Sequence, residues 1–342
     1  DLETVDSEEL ALTRFANTHP CYDLMPASCK LVVFDINLNV SKAFYALVQN
    51  SIRSAPLWSI DKHDFAGLLT VTDFLRVLQK YYHSPELDLK EIEDQKISNW
   101  KNILGDSDKP TIQVEPDTSL LASAAILARH HIHHLPVVDP ITGNILFVLT
   151  SKRILRFIAS YVRKDVIGNQ FLQQTIEQCQ VGTYENVPHV TFEMTLVEVV
   201  ELFMGNNVSA LPIVNEKNQV IDIYNKSDVF SIADDQMYTD LNVTVKKVIE
   251  HRKEVRQYLQ TCSSSERLCD VVARMVDTGT HCMVVVSDRK ELKGVISITD
   301  VIDFLILRPF CTLVLFLLLL LIVFIIVIII TFAIVLRAWC FF

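Results

Sequence analysis

Glycine is scarce: eight in 342 residues. No GxGxxG and no GxxxxGK[ST] occurs, so the Rossmann and Walker-type phosphate loops, which need glycine for close backbone approach, are excluded. There is no basic run. Thirty of the 31 Lys and Arg residues and all 41 Asp and Glu residues fall within residues 1–308, which carry a net charge of −11. An acidic body of that kind is a poor fit to nucleic acid. The eight cysteines (Cys21, Cys29, Cys179, Cys262, Cys269, Cys282, Cys311, Cys340) form no CxxC pair. They read as reduced thiols of a cytosolic chain. The opening DLETVDSEEL is acidic with no apolar centre, unlike a signal peptide. Catalytic signatures are missing as well: no nucleophile elbow, no HExxH, no HRDxxxxN. What the chain does have is hydrophobic content, 50%, and that content is unevenly placed.

Sliding the chain along itself exposes four copies of one plan. They read SIRSAPLW then GLLTVTDF; HIHHLPVVD then NILFVLTSKRIL; NVSALPIVN then QVIDIYNKSDVF; and THCMVVVSD then KGVISITDVI. Aligning Pro56, Pro136, Pro212 and Val284 with Asp73, Arg153, Asp228 and Asp300 gives internal spacings of 17, 17, 16 and 16 residues. The steps between copies are 80, 75 and 72 residues. An amphipathic helix is predicted to open each unit. Its apolar face is Val40, Phe44, Leu47 and Val48 in the first, Leu196, Val199, Val200 and Phe203 in the third, and Leu268, Val271, Val272 and Met275 in the fourth. A short strand, a polar turn, a second strand and a second helix complete the order. One unit of about 55–60 residues is near the limit for folding alone, so the units are expected to pair sheet to sheet.

Asp73, Asp228 and Asp300 stand at the starts of second helices. A carboxylate accepts two hydrogen bonds, and a ribose offers two vicinal hydroxyls. A lone Asp there would be an ordinary helix-end residue; three in one register, beside Thr72, Ser227 and Thr299, favour ligand holding. The second unit has Arg153 instead. Histidines cluster at His130, His131, His133 and His134, but no nearby cysteine or carboxylate completes a zinc set.

The plan, and the phrases APLW, LTVTDF, HLPVVDPITGN, LTSKRIL, VGTY, VSALPIV, VVSD and CYDLMPASCKLVVFDINL, resemble the CBS-domain repeat as it occurs in γ regulatory subunits of AMP-activated protein kinase. The match covers roughly residues 15–307. The resemblance implies an α/β (α+β) fold of four CBS repeats, forming two Bateman-type pairs in a disk. Boundaries are expected at 1–26 (N-terminal segment), 27–90, 109–166, 183–240 and 252–308 (repeats one to four) and 309–342 (hydrophobic tail). It implies AMP, ADP and ATP as ligands, and a heterotrimer with a catalytic α subunit and a β scaffold. Residues around Leu31 to Phe34 would pair with a β-subunit strand, or serve as an ordinary edge strand of their own repeat.

Carried onto this sequence, the resemblance assigns ribose contacts to Asp73, Asp228 and Asp300. Contacts to the nucleotide, including base contacts, fall to Thr70, Thr72, Thr183, Val208, Ser209, Ala210, Ser297 and Thr299. Phosphate contacts fall to Arg53, His133, Lys152, Arg252 and His281, converging on a central cavity. A pocket relying on Arg153 should be empty, leaving three of four in use. Members of the family commonly have HRLPV where this chain has His133-His134-Leu135-Pro136-Val137. They commonly have HRLVVV where it has His281-Cys282-Met283-Val284. Each replacement removes a cation from the phosphate cavity, which should weaken ATP more than AMP. No metal or catalytic residue is expected. The other readings are a nucleotide-independent scaffold and a regulatory module of a membrane transporter.

From Pro309 to Leu336 there is no charge. As a helix this run would measure about 42 Å, against about 30 Å for a bilayer core. It reads as a transmembrane tail anchor flanked by Arg308 and Arg337 with Trp339 beyond. Its Phe, Leu, Ile and Val content also suits translated T-rich non-coding sequence. The body is expected in the cytoplasm or nucleus, tethered to a membrane only if the tail is expressed.

Overall fold

The computed structural model describes residues 2–28, 31–50, 52–83, 94–105, 111–162, 171–229, 242–250 and 259–309. The chain opens with α1 (Leu2–Thr18) and a 3-10 turn at Cys21–Leu24. Repeat one follows as β1 (Phe34–Asp35), α2 (Val40–Gln49), β2 (Ser54–Ser59), β3 (Asp64–Thr70) and α3 (Val71–Tyr82). After α4 (Ile97–Leu104) comes repeat two: α5 (Leu120–Arg129), β4 (His134–Val138), β5 (Ile145–Thr150) and α6 (Ser151–Val162). After α7 (Ile176–Cys179) comes repeat three: α8 (Leu196–Asn206), β6 (Ala210–Val214), β7 (Val220–Asn225) and a 3-10 turn at Lys226–Asp228. After α9 (Val245–Glu250) comes repeat four: β8 (Thr261–Cys262), α10 (Leu268–Thr278), β9 (Cys282–Val286), β10 (Leu292–Ser297) and α11 (Ile298–Ile302).

The helical faces fold as the 3.6-residue period dictates. Leu196, Val199, Val200 and Phe203 are buried, as are Leu268, Val271, Val272 and Met275. In α2, Ala43 joins Val40, Phe44 and Leu47 in the core, while Val48 is only half-buried. The polar turns close antiparallel hairpins, with Pro56 opposite Leu68, Pro136 opposite Val148 and Pro212 opposite Ile223. Each hairpin also gains a third, parallel pairing: Phe34 with Leu57, Val114 with Val137, Val190 with Ile213 and Thr261 with Val284. Phe34 therefore sits on an edge strand of its own repeat.

A short helical segment docks on each repeat, and it always comes from outside that repeat. Repeat one holds α4, through Ile97 N–H to Leu38 O and Ser98 N–H to Ile36 O. Repeat two holds the N-terminal turn, through Cys21 N–H to Thr118 O. Repeat three holds α9, and repeat four holds α7. Since α4 precedes repeat two and α7 precedes repeat three, repeats one and two exchange segments, and so do three and four. These are the two Bateman-type pairs.

Within the second pair, one apolar cluster joins the sheets of repeats three and four through Val214, Val220, Ile223, Cys282 and Val284. The pairs are joined crosswise. One large core merges repeats one and three, with α3 against α8; the other merges repeats two and four, with α6 against α10 and α11. Leu12 and Ala16 of α1 belong to the second core, and Thr13 Oγ1 donates to Ile306 O at 3.2 Å. Residues 310–342, which include most of the expected tail, lie outside the described residues. Among the described residues no helix is long and apolar enough to cross a membrane.

Candidate functional site

All four repeats turn the start of their second helix toward one central cavity of about 840 Å³, within the roughly 300–1,000 Å³ usual for small-molecule sites. The local chemistry at these starts is a reciprocal cap. In repeat four, Ser297 Oγ accepts from Asp300 N–H at 3.2 Å, and Asp300 Oδ2 accepts from Ser297 N–H at 2.7 Å and from Ser297 Oγ at 2.8 Å. Repeat one repeats this with Asp73 Oδ2 on Thr70 N–H at 2.8 Å and Thr70 Oγ1 at 2.9 Å. Repeat three places Asp228 Oδ2 on Asn225 N–H at 2.8 Å. The aspartates thus occupy the third helical position and close capping boxes, with the Thr, Asn or Ser before them as the cap residue. One carboxylate oxygen, Oδ2, holds each turn rigid; the other faces the Arg76 guanidinium at 3.6 Å in Asp73, and in Asp300, on the cavity wall, it is the oxygen a ligand could share.

Repeat two lacks the box's acidic half. Arg153 N–H still donates to Thr150 Oγ1 at 3.2 Å. Its guanidinium turns away, donating to Leu24 O at 3.1 Å and lying 5.8 Å from the Phe147 ring centroid. Arg153 does not line the cavity, whereas Ser151 and Lys152 do. The N-terminal turn, the segment exchanged into repeat two, supplies the carbonyl that holds this arginine.

The expected site residues fall as follows. Arg53, Thr70, Thr72 and Asp73 line the cavity from repeat one, and His133 and Lys152 from repeat two. Thr183, Val208, Ser209 and Ala210 line it around repeat three, and His281, Ser297, Thr299 and Asp300 from repeat four. Asp228 does not reach the cavity wall. It is buried at 6% exposure behind its own cap, while its neighbours Lys226 and Ser227 face the cavity. Arg252 lies outside the described residues.

Thr183 reaches the fourth-repeat pocket by crossing over. It is held to Val295 by two backbone hydrogen bonds of 2.9 Å, one in each direction. This is the same exchange that docks α7 on repeat four.

Sequence reasoning missed several cavity residues. The most consequential is Lys226, which stands two residues before Asp228. The equivalent residues are Val71, Ser151 and Ile298, so a lysine at that register was the available signal. Burial pushes Lys226 down to about 8, still largely protonated at neutral pH. Asn225, Arg76, Lys101, Val187 and Pro188 also line the cavity. Arg76 is committed to Asp73 at 3.6 Å and to Leu104 O at 3.2 Å, and Lys101 to Ala66 O.

The histidines behave differently from the lysines. Burial, then Lys226, Arg53 and His131, push His133 down to about 4. Burial, then His133 and Arg53, push His134 to about 3; burial, then Arg53, Lys152, His133 and His134, push His281 to about 3. His133 is accessible to cavity water yet enclosed by protein, and its Nε2 lies 2.7 Å from Ser209 Oγ. Cys282 is buried and its thiol is raised to about 12, first by burial and then by Asp300. At neutral pH the cavity therefore presents Arg53, Lys152 and Lys226 as cations, besides Arg76 and Lys101 in their own contacts, together with the neutral imidazoles of His133, His134 and His281. Arg53 lines the cavity and its charge acts on His134 and Lys152 of repeat two and on His281 of repeat four. Among the described residues no group of three or more His, Cys, Asp or Glu is placed to hold a metal.

Residues 22–80, 102–160, 181–235 and 245–307 match the family model for the CBS domain. The chain is 38% identical over 296 residues to 5'-AMP-activated protein kinase subunit gamma-3 of Bos taurus, covering 86% of this chain and 60% of that protein. It is 38% identical over 298 residues to the Homo sapiens subunit gamma-3, again over 86% of this chain and 60% of the relative. The chain therefore spans about 60% of the length of these relatives. A crystal structure of a protein from Methanocaldococcus jannaschii superposes with a TM-score of 0.67 at 16% identity, covering 84% of this chain and 99% of that one; that likeness shows the fold.

Proposed function

The chain belongs to the CBS-domain family, and on that footing we propose that it is a non-catalytic, adenine-nucleotide-sensing regulatory subunit of the γ type found in AMP-activated protein kinase. The observation that carries this reading is the convergence of capped aspartates and cations from different repeats on one cavity. Asp300 would offer its second carboxylate oxygen to a ribose diol, and Asp73 would do so by sharing the oxygen that faces Arg76. The start of α11 and the α3 turn favour negative charge. Arg53, Lys152 and Lys226 supply charge-assisted bonds to phosphate. AMP, ADP and ATP would compete for these pockets because they share ribose and base and differ in phosphate count.

Regulation follows if a nucleotide binds one state of the assembly better than another. The partners in this reading are a catalytic α chain, which senses the occupied disk, and a β chain, for which the edge strand at Phe34–Asp35 offers a pairing site. A second reading, a scaffold that no longer binds nucleotide, draws on the neutral His133, His134 and His281 and the Cys282 thiol in the phosphate region. Purification of the full chain with identification of co-purifying chains and bound nucleotide tests both. The sensor reading expects AMP, ADP or ATP in the released fraction and a kinase α chain in the complex. A chain that carries no nucleotide, and gives no heat on titration with AMP or ATP, overturns it.

A further inference from the structure

The loop from Val181 to His189 is irregular, yet it supplies Thr183, Val187 and Pro188 to the cavity wall. An irregular wall can read a ligand only if something fixes it. At its far end Val190 bridges Ile213. At its near end three features act together. Gly182 adopts φ +110°, and a Cβ there would lie 2.7 Å from the Val295 carbonyl oxygen. Tyr184 lies over Gly294, where a Cβ would meet the ring at 2.6 Å and the Thr183 carbonyl at 2.9 Å. The Tyr184 hydroxyl then donates to Val181 O at 2.9 Å, closing the loop on itself. Two glycines in a chain with eight are used to bring these backbones together.

The consequence falls on Thr183. Both of its backbone groups are engaged by Val295, so its hydroxyl is the polar group it can offer the cavity. A hydroxyl reads a ligand edge only as well as its backbone is placed. Val187 and Pro188 beside it present the apolar surface that a planar base would pack on.

We propose that Tyr184, seated on Gly294, is a positioning residue that fixes the Thr183 edge of the fourth-repeat pocket and thereby sets its preference among purine bases. This rests on the nucleotide-sensing reading. Tyr184 does not line the cavity; it acts through Thr183.

The test is titration calorimetry of the full chain with AMP and with GMP, which share sugar and phosphate and differ in the base. Tyr184→Leu removes the ring, Tyr184→Phe keeps it, and Gly294→Ala displaces it. Tyr184→Leu and Gly294→Ala are expected to reduce the AMP-over-GMP affinity ratio about fivefold, the effect of one misplaced hydrogen bond. Tyr184→Phe keeps the ring on Gly294 but gives up the bond to Val181 O, so its ratio should fall less than that of Tyr184→Leu. The reduction should vanish in an Asp300→Ala background, which removes that pocket. Tyr184→Leu keeps the test alive if Gly294→Ala does not fold. Equal weakening of AMP and GMP, an unchanged ratio, or a reduction that persists with Asp300→Ala overturns the proposal while leaving the sensor reading intact. A wild-type chain that binds neither nucleotide sinks both.

Discussion

Acidifying the ligand-free protein from about pH 7.5 to about pH 5.5 should destabilise it by about 3 kcal/mol or slightly more. The reasoning starts with His134 and His281, which the fold holds near pKa 3. In the unfolded chain a histidine titrates near about 6.5. Between those values the unfolded state takes up a proton that the folded state does not, so stability falls as pH falls. The stabilisation is fully present above about pH 6.5 and is lost progressively toward the folded values of about 3. Over this window each such imidazole contributes about 1.4 kcal/mol, and the two together about 3. His133, held near 4, adds less than a full share because it is exposed, whereas His134 and His281 are half-buried. Carboxylates, with unfolded values near about 4, act mostly below the window. Urea denaturation at the two pH values is the assay. With a slope of about 3 kcal/mol per molar, the midpoint should drop by about 1 M. His281→Gln should shrink the fall by about 1.4 kcal/mol. Saturating AMP should make it shallower, because phosphate beside an imidazole favours its protonated form. Stability that stays flat from pH 7.5 to 5.5, or a fall that His281→Gln leaves unchanged, would refute the placement of these half-buried rings as enclosed and neutral.

Three further outcomes are expected. Asp300→Asn keeps an oxygen for the Ser297 cap but loses the carboxylate, so calorimetry should show weakened AMP binding with a melting temperature near wild type; Asp300→Ala should lose both, with a cap cost of about 1 kcal/mol. Lys226→Met removes one of the cations lining the cavity, and competition titrations should show ATP weakened more than AMP, with a smaller dependence on salt. Arg153→Leu gives up the bond to Leu24 O and the Phe147 contact; thermal melts should show a loss of about 1–2 kcal/mol, while the number of AMP bound per chain stays as in wild type.

The repeat, the hairpins and the helical faces were readable from the sequence because they depend on local periodicity. Four apolar residues on one helical face bury that face wherever the helix docks, and Leu196, Val199, Val200 and Phe203 do so. The aspartates were readable as a register at the helix starts; that they stand third in the helix and close a box with Thr70, Asn225 or Ser297, rather than capping it themselves, came from the structure. The third, parallel pairing in each sheet was not readable, since a residue such as Val114 or Val190 carries no period of its own.

The remainder is long-range. Sequence alone marked Asp228 as the equal of Asp73 and Asp300. Tertiary packing buried it behind its cap and turned Lys226 to the cavity. It also chose which repeat each docking helix covers, so that Thr183, written at the start of repeat three, serves the pocket of repeat four. It sent Arg153 toward a carbonyl 129 residues away. These outcomes depend on how the pairs close against each other, and the charge each group carries depends on how much water that closure leaves beside it. His133, His134 and His281 are ordinary imidazoles in the sequence; enclosure, with Arg53 nearby, is what keeps them neutral well below about pH 6.5.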